Sequence, residues 1–485
     1  LTATKQYNLT KLYWYKNHNG ETKMQTHVAT KQQMAIQAIE AEIAKRRFSP
    51  QQRLPSIRSL SKKLSLSNST IVEAYDKLVA SGDVLAKPGS GFFVADKTTP
   101  LSISEAPPQQ HKDVDPVWMG RQSLLSAKQD AAPGCGWLPH SWMPEQEIAK
   151  AMRTLLRNDQ TNLTNYASPQ GMPELRQLIA RRQADLNIDI SPQQVILTDS
   201  GTQALDLVCR FLLKPGDKVL IDDPCYFNFR AMLRAHHVEA VSVPLTPKGA
   251  DLDAFEDALR EHRPRLYITN SVLQNPTGVS ISNVHAHKLL NLAEKHDLII
   301  LEDDIFADLQ EKPSTRLAAF DGLDRVIQIG SFSKTLSASI RCGFIIAKSD
   351  WVDEMTNLRL ATSYGGSSFN TQLIFKLLTE GSYRRHVNAV RDRLSKQRSY
   401  VLRNLDALDI QPWHTPSEGI FVWCRLPNKR DAEQVARTAI QDGLMLAPGN
   451  AFSHKQTAAN FMRFNIAQMN DPAVFQKLKM AIAHA

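Results

Sequence analysis

The sequence predicts a multidomain chain: a small α+β head built of helices and one hairpin, then a large α/β body with a mostly parallel sheet. Three observations carry this. Residues 1–100 hold 15 Lys+Arg against 7 Asp+Glu, although the whole 485-residue chain carries a net charge of only +9. Two short helix-period segments joined by a tight turn lie inside that basic stretch. Beyond residue 140, helix-period segments alternate with short β-rich runs, the pattern of a parallel sheet covered by helices.

Composition bounds the rest. A chain of 485 residues exceeds what one compact core organises, so two or three domains are expected. No apolar run approaches the ~18 residues of a membrane span, and the first residues lack the apolar core of a secretory signal. Five scattered cysteines, without Cys/His ligand spacing, predict neither a disulfide framework nor a metal site, and fit a reducing cytoplasm. The chain opens on Leu1, and residues 1–23 are polar and poorly periodic. They read as an extension, either an over-extended reading frame or a disordered arm.

The head is expected over residues 24–96. "KQQMAIQAIEAEIAKRR" (31–47) spaces Met34, Ile36, Ile39 and Ile43 as a helix would. "FSPQQRLPS" breaks it with two prolines. "SIRSLSKKLSL" places Ile57, Leu60 and Leu64 on one face. In "SNSTIVEAYDKLVASG", Ser67 is an N-cap, Ile71, Tyr75, Leu78 and Val79 form the inner stripe, and Gly82 stops the helix. Two short helices about a tight turn, the second opening on small hydroxyl residues, form a helix-turn-helix pattern. "DVLAKPGSGFFVAD" (83–96) then reads as strand, turn, strand, with a Lys-Pro-Gly-Ser-Gly tip. Without the wing and the charge, a plain three-helix interaction domain would explain the helices equally well.

Residues 97–130, with "TTPLSISEAPPQQHKDVDP", read as a semi-flexible linker. In the body, 131–485, helices are expected at 145–157, 173–186, 202–213 and 284–296. Strands are expected in "QVILTD", "DKVLID", "PRLYITN", "LIILEDD", "RVIQIGSF" and "CGFIIAK". Ligands of such sheets sit at the carboxyl ends of the strands, and four polar clusters lie there. "DSGTQALD" (199–206) opens a helix whose first N–H groups suit a phosphate. "NPTG" (275–278) reads as a site or as a simple turn. "LEDD" (301–304) offers carboxylates at a strand end, for a ring nitrogen or for a helix cap. "GSFSKTLSASIRCGF" (330–344) sets Lys334 among hydroxyls, with Arg341 able to grip phosphate. By itself it also reads as a surface lysine in a serine-rich turn.

Taken together, these stretches resemble known families. "RLPSIRSLSKKLSLSNSTIVEAYDKL" with the wing resembles the GntR-type winged helix. That resemblance implies DNA contacts at Arg58, Ser67, Asn68, Ser69, Thr70, Lys87 and Gly89. Asn68 stands where the family usually has arginine, which shifts the expected base preference from guanine toward adenine. The four body clusters, in their order, resemble fold type I aminotransferases dependent on pyridoxal 5′-phosphate. The resemblance implies Lys334 as the imine-forming lysine, Asp303 at the pyridine nitrogen, Asn275 at the ring hydroxyl and Tyr226 ("DDPCYFNF") on the ring face. It implies a phosphate cradle of Gly201, Thr202, Ser331, Ser333 and Arg341. Tyr166 ("NYASPQGMPELR") would reach a partner subunit's site in a homodimer, and Arg463 ("NFMRFNIA") would grip a substrate carboxylate. The alternatives are a core aromatic for Tyr226, a surface loop for Tyr166 and a structural ion pair for Arg463.

One departure stands out: Ile305 and Phe306 occupy the place of a tyrosine that usually helps hold the ring hydroxyl. "EGIFVWCRLP" (418–427) reads as a buried strand, and "MLAPGNAF" (445–452) as a pocket edge or a plain loop. A GntR-type head on an aminotransferase-like body resembles the MocR regulators. The expected function is a cytoplasmic, homodimeric transcription regulator that binds an operator in double-stranded DNA. Its body would sense the cofactor or a small amino-compound effector. A working aminotransferase with an accessory head is the alternative.

Overall fold

The computed structural model describes residues 10–16, 22–28, 30–44, 52–95, 131–157 and 163–485. The chain divides into two compact units, Leu1–Gln110 and His111–Ala485. The expected linker at 97–130 lies outside the described residues.

In the first unit, β1 (Thr10–Lys16) and β2 (Thr22–Val28) pair antiparallel, with Thr10 opposite Val28. Of the extension expected at residues 1–23, residues 1–9 and 17–21 lie outside the described residues. "TKLYWYK" is rich in aromatics that favour the extended backbone, and the strand pair crosses the boundary placed at residue 24.

Three helices follow: α1 (Lys31–Ala44), α2 (Ile57–Leu64) and α3 (Asn68–Ala80). In α1, Ile39 is buried and Ile36 and Ile43 pack against the core as expected, but Ala35 takes the buried place one turn before Ile39, and Met34 is 41% exposed. In α3, Ile71, Ala74, Tyr75 and Leu78 are buried, and Gly82, at φ +74°, takes the chain out of the helix. β3 (Val84–Lys87) and β4 (Gly91–Val94) form the hairpin, with Lys87 opposite Gly91. Residues 52–54 add a short third strand: Leu54 N donates to Phe92 O at 2.8 Å, and Val94 N to Gln52 O at 3.0 Å. Tyr75 locks these parts together. Its ring stacks on Phe92 at 4.1 Å, and its hydroxyl donates to Pro55 O at 2.7 Å.

The body holds a sheet of β5 (Val195–Thr198), β6 (Lys218–Asp223), β7 (Glu239–Thr246), β8 (Gly249–Ala250), β9 (Leu266–Thr269), β10 (Ile299–Asp303), β11 (Val326–Ser331) and β12 (Gly343–Ile346). Their spatial order is β5-β12-β11-β10-β9-β6-β7-β8. β11, β10, β9, β6 and β7 run parallel to one another, whereas β12 lies antiparallel between β5 and β11, and β8 antiparallel beside β7. Alternate residues serve two cores. Leu197, Leu220, Ile300 and Val326 join one, and Ile196, Ile221, Leu301 and Ile327 the other. Burial on both faces is why these strands read as unbroken apolar runs.

The expected helices appear at Glu145–Leu156, Pro173–Ala184, Gly201–Leu212 and Asn283–Lys295. A second sheet, β13 (Gln411–Pro412), β14 (Phe421–Arg425), β15 (Ala447–Pro448) and β16 (Phe461–Asn465), is antiparallel in the order β13-β14-β16-β15. β14 is the buried strand expected in "EGIFVWCRLP". The 25-residue helix Ser382–Asp406 serves both layers. Tyr383 and Val387 join the large core, and Val390, Leu394, Val401 and Leu405 the small one.

Tyr75→Ala should destabilise the winged unit by about 3–5 kcal/mol through the lost ring. Tyr75→Phe should cost only about 1 kcal/mol for the lost hydrogen bond. Hydrogen exchange of residues 52–95 in the full chain measures both.

Candidate functional site

In the head, the turn between α2 and α3 presents a polar edge. Ser67 Oγ accepts from Thr70 N at 3.2 Å and lies 2.9 Å from Ser69 Oγ and 2.8 Å from Thr70 Oγ1. This arrangement caps α3 and orients its first turn. Ser67, Asn68 and Ser69 are exposed, Thr70 is half-buried, and Arg58 is exposed on α2. At the wing, Lys87 and Gly89 are exposed. Gly89 sits at φ +72°, which lets the tip turn, and Lys87 Nζ lies 4.7 Å from the Phe93 ring centroid. Arg53, which the sequence did not single out, lies beside the wing: a Cβ on Gly91 would come 3.4 Å from its Nε.

In the body, the polar clusters converge at the carboxyl ends of β5, β6, β9, β10 and β11. Leu336 N and Ser337 N both donate to Phe332 O, at 3.0 and 3.2 Å, closing the turn that holds Lys334 just past β11. The half-buried Lys334 donates from Nζ to Gly136 O at 2.9 Å, and Nζ stands 5.7 Å from the Phe306 ring centroid. Burial, helped by the Arg463 cation and opposed by Asp303 and Cys135, draws its amine down to about 8. Near pH ~7.4 such an amine is neutral far more often than an ordinary lysine.

Asp303 ends β10. Its Oδ1 accepts from Ile305 N at 3.3 Å, and Asn270 Nδ2 donates to its carbonyl at 2.9 Å. Burial pushes its carboxyl up to about 7. Its neighbours are occupied elsewhere. Glu302 caps the helix Leu317–Asp321, accepting from Leu317 N at 2.7 Å and Ala318 N at 3.0 Å. Asp304 pairs with buried Arg316 at 3.0 and 3.2 Å. "LEDD" thus serves as cap, ion pair and site carboxylate at once, because successive strand residues alternate in direction.

Gly201 opens its helix behind the Ser200 cap, whose hydroxyl accepts from Gln203 N at 3.0 Å. A Cβ on Gly201 would lie 3.3 Å from Ile305 Cγ2 and 3.5 Å from Ser331 Cβ, so the helix start, β10 and β11 meet there. Ser331 Oγ lies 2.8 Å from Ser333 Oγ, and Thr202 and Arg341 are exposed, Arg341 at φ +52°. Tyr226 is half-buried against Phe227 and Phe229. Burial, with Asp303 adding to it, pushes its hydroxyl up to about 12.

Arg463, on β16, is 1% exposed. It donates to Asn275 Oδ1 at 2.8 Å and to Gly134 O at 2.5 Å, and lies 4.4 and 4.7 Å from the Phe421 and Phe452 ring centroids. Neither acceptor is charged, so among the described residues the ion-pair alternative is not what holds it. Its buried Nε has no partner, and burial draws the guanidinium down to about 10. "MLAPGNAF" forms the wall behind it: Phe452 is fully buried, and its carbonyl accepts from Cys225 N at 3.0 Å. Tyr166 is 81% exposed and meets only another exposed aromatic, Tyr364, among the ring contacts of the described residues, at 5.1 Å.

Sequence reasoning missed Gly134 and Gly136. A Cβ on Gly134 would come 2.4 Å from the Leu446 backbone, and one on Gly136 would stand 3.8 Å from Lys334 Nζ. A glycine pair in "GCGW" carries no local signal of either approach. Among the described residues no cluster suits a metal ion, no helix is long and apolar enough to cross a membrane, and the five cysteines are buried thiols.

A winged helix on the same chain as an α/β body whose parallel strands gather a lysine, a carboxylate and a glycine–serine cradle defines a transcription regulator with an aminotransferase-like domain. The chain belongs to the aminotransferase class I and II family, which matches residues 140–478, and its head matches the gntR family of bacterial regulatory proteins over 31–94. The fusion is that of MocR-type regulators. The chain is 29% identical to the uncharacterized HTH-type transcriptional regulator YdcR of Escherichia coli, over 90% of this chain and 95% of that protein. It is 26% identical to the HTH-type transcriptional regulator NorG of Staphylococcus aureus, over 83% and 93%. Among solved structures, α-aminoadipate aminotransferase LysN of Thermus thermophilus, complexed with N-(5′-phosphopyridoxyl)-L-leucine, matches at 27% identity and a TM-score of 0.69, over 76% of this chain and 94% of that one.

Asp303 yields a test. Its carboxyl is raised above the ordinary value of 3.8 to about 7, so its contribution to stability is present at low pH and lost as pH rises through 7. Glu302, also raised to about 7, and Asp222, raised to about 6, act in the same sense. Asp303→Asn should flatten the fall in thermal midpoint between about pH 4 and 7 in the cofactor-free protein, as read by differential scanning calorimetry.

Proposed function

We propose that this chain is a DNA-binding regulator whose body binds pyridoxal 5′-phosphate at Lys334 and responds to the cofactor or to an amino compound. One observation carries the reading: a half-buried lysine with its amine drawn to about 8 lies near a buried carboxyl, on a chain whose head is a winged helix. The residues present suit the group. The Gly201 helix start, Ser331, Ser333, Thr202 and Arg341 have the donor chemistry for a phosphate. Asp303 suits a protonated ring nitrogen, Asn275 the ring hydroxyl and Tyr226 the ring face. Bound there, pyridoxal phosphate supplies an aldehyde that captures primary amines. Arg463, with an unpaired buried Nε, suits the carboxylate of such an amine.

The protein's own part is to keep Lys334 partly neutral, hold Asp303 out of water and exclude bulk solvent with Phe306, Phe421 and Phe452. Phe306 beside Lys334 brings no hydroxyl to the ring, which supports a sensing role over efficient turnover. An aminotransferase reading rests on the otherwise near-complete set of site residues. A homodimer, in which the exposed Tyr166 of one copy completes the other's site, and a cytoplasmic location belong to the same proposal. Ligand at Lys334 alters DNA binding only through its differential affinity for the two states of the body.

Mobility shifts of operator DNA test this, with wild type and Lys334→Ala, with and without cofactor and candidate amines. The expected result is a specific shift that the cofactor changes in wild type and leaves unchanged in Lys334→Ala. No specific DNA binding under any condition sinks the regulator. A wild type that takes up no pyridoxal phosphate sinks the cofactor. Lys87→Ala should weaken binding across all sequences and lower the slope of log affinity against log salt by about 0.9, as measured by fluorescence anisotropy.

A further inference from the structure

We propose that Thr335, Tyr383 and Asp308 are positioning residues that fix Lys334 against Asp303 through one hydrogen-bond chain, buried at Thr335 and Tyr383 and half-buried at Asp308; this rests on the reading of Lys334 as the cofactor-bearing lysine. Thr335 follows Lys334 in the same closed turn and is 2% exposed. Its Oγ1 lies 2.6 Å from the Tyr383 hydroxyl. That hydroxyl also donates to Asp308 Oδ2. A phenol has one proton, and the carboxylate takes it, so Thr335 donates to Tyr383 and the chain runs one way toward Asp308. Arg182 Nη2 closes it, donating to Asp308 Oδ1 at 2.5 Å.

Asp308 belongs to the short turn Ala307–Leu309, on the segment that leaves β10 just after Asp303. The chain therefore ties the segment that carries the carboxylate to the turn that carries the amine. One helix holds both ends. From Ser382–Asp406, Tyr383 supplies the middle hydroxyl, Arg391 Nε donates to Asp308 O at 2.9 Å, and His386 Nε2 donates to Thr335 O at 2.8 Å. A carbonyl only accepts, so His386 carries its proton on Nε2.

A buried polar chain of this length is costly unless every member is satisfied, and an apolar packing of the same shape would hold a turn in place at less risk. What the hydrogen bonds add is direction: they fix the rotation of the lysine turn relative to β10. The same helix continues into the small core at Val390, Leu394, Val401 and Leu405, so a displacement of the lysine turn bears directly on the second sheet.

The test uses the full chain without cofactor, titrated with pyridoxal phosphate and followed by visible absorbance and visible circular dichroism. Tyr383→Phe, which removes a hydrogen bond to a carboxylate, should weaken uptake about tenfold, and Thr335→Val, which removes a hydroxyl–hydroxyl bond, about fivefold. They should also cut the dichroic amplitude per bound cofactor, with far-ultraviolet dichroism unchanged. Thr335→Ser, which keeps the hydroxyl, should restore both. Variants that match wild type in affinity and dichroism overturn this inference alone. So does a Thr335→Ser as impaired as Thr335→Val, because side-chain shape would then be what matters. A wild type that takes up no cofactor overturns both this inference and the reading of Lys334. If Tyr383→Phe does not fold, the Thr335→Val and Thr335→Ser pair decides.

Discussion

A buried arginine with no counter-ion among the described residues sets the character of the body. Arg463 stands on β16, yet its guanidinium reaches Asn275 beyond β9 and Gly134 ahead of the first body helix. It stitches three distant segments and two sheets at one point. Taking a cation out of water costs several kcal/mol unless other interactions offset it, and here two uncharged acceptors and two ring faces do so. Its field helps draw Lys334 down, while the same burial draws Asp303 up. The lowered amine and the raised carboxyl therefore share one chief cause, the exclusion of water along the carboxyl edge of the sheet.

That edge shows how one stretch of sequence is divided among tasks. In "LEDD", alternating strand direction sends Glu302 to cap a helix and Asp304 to Arg316, and leaves Asp303 at the site. In the lysine turn, Ser331 and Ser333 meet each other, while Thr335 turns away to Tyr383. The residues nearest the chemistry are held by residues that take no part in it.

The head rests on a simpler device. Tyr75 joins α3, the wing and the segment at Pro55 by a stacked ring and one hydrogen bond. With this core in place, the small polar residues at the start of α3 are left outward, and the hairpin tip is held beside α3 rather than trailing from it.

The sequence by itself determined the periodic elements: the head helices, six strands of the large sheet, four helices of the body, and the lysine, aspartate and glycine clusters at strand ends. Those follow from local spacing, turn residues and continuous apolar runs, and local chemistry dictates them. Only the tertiary structure decided the rest. It turned Ala35 rather than Met34 inward, because α1 fits α3 through small side chains. It placed β12 antiparallel, and assembled the second sheet by joining β14, legible as a buried run, to β16 and to two strands of two residues too short to declare themselves. It brought Gly136 to Lys334 and Asn275 to Arg463, contacts between residues nearly two hundred positions apart. Such pairings leave no periodicity in the chain, because nothing but the packed core brings their partners together.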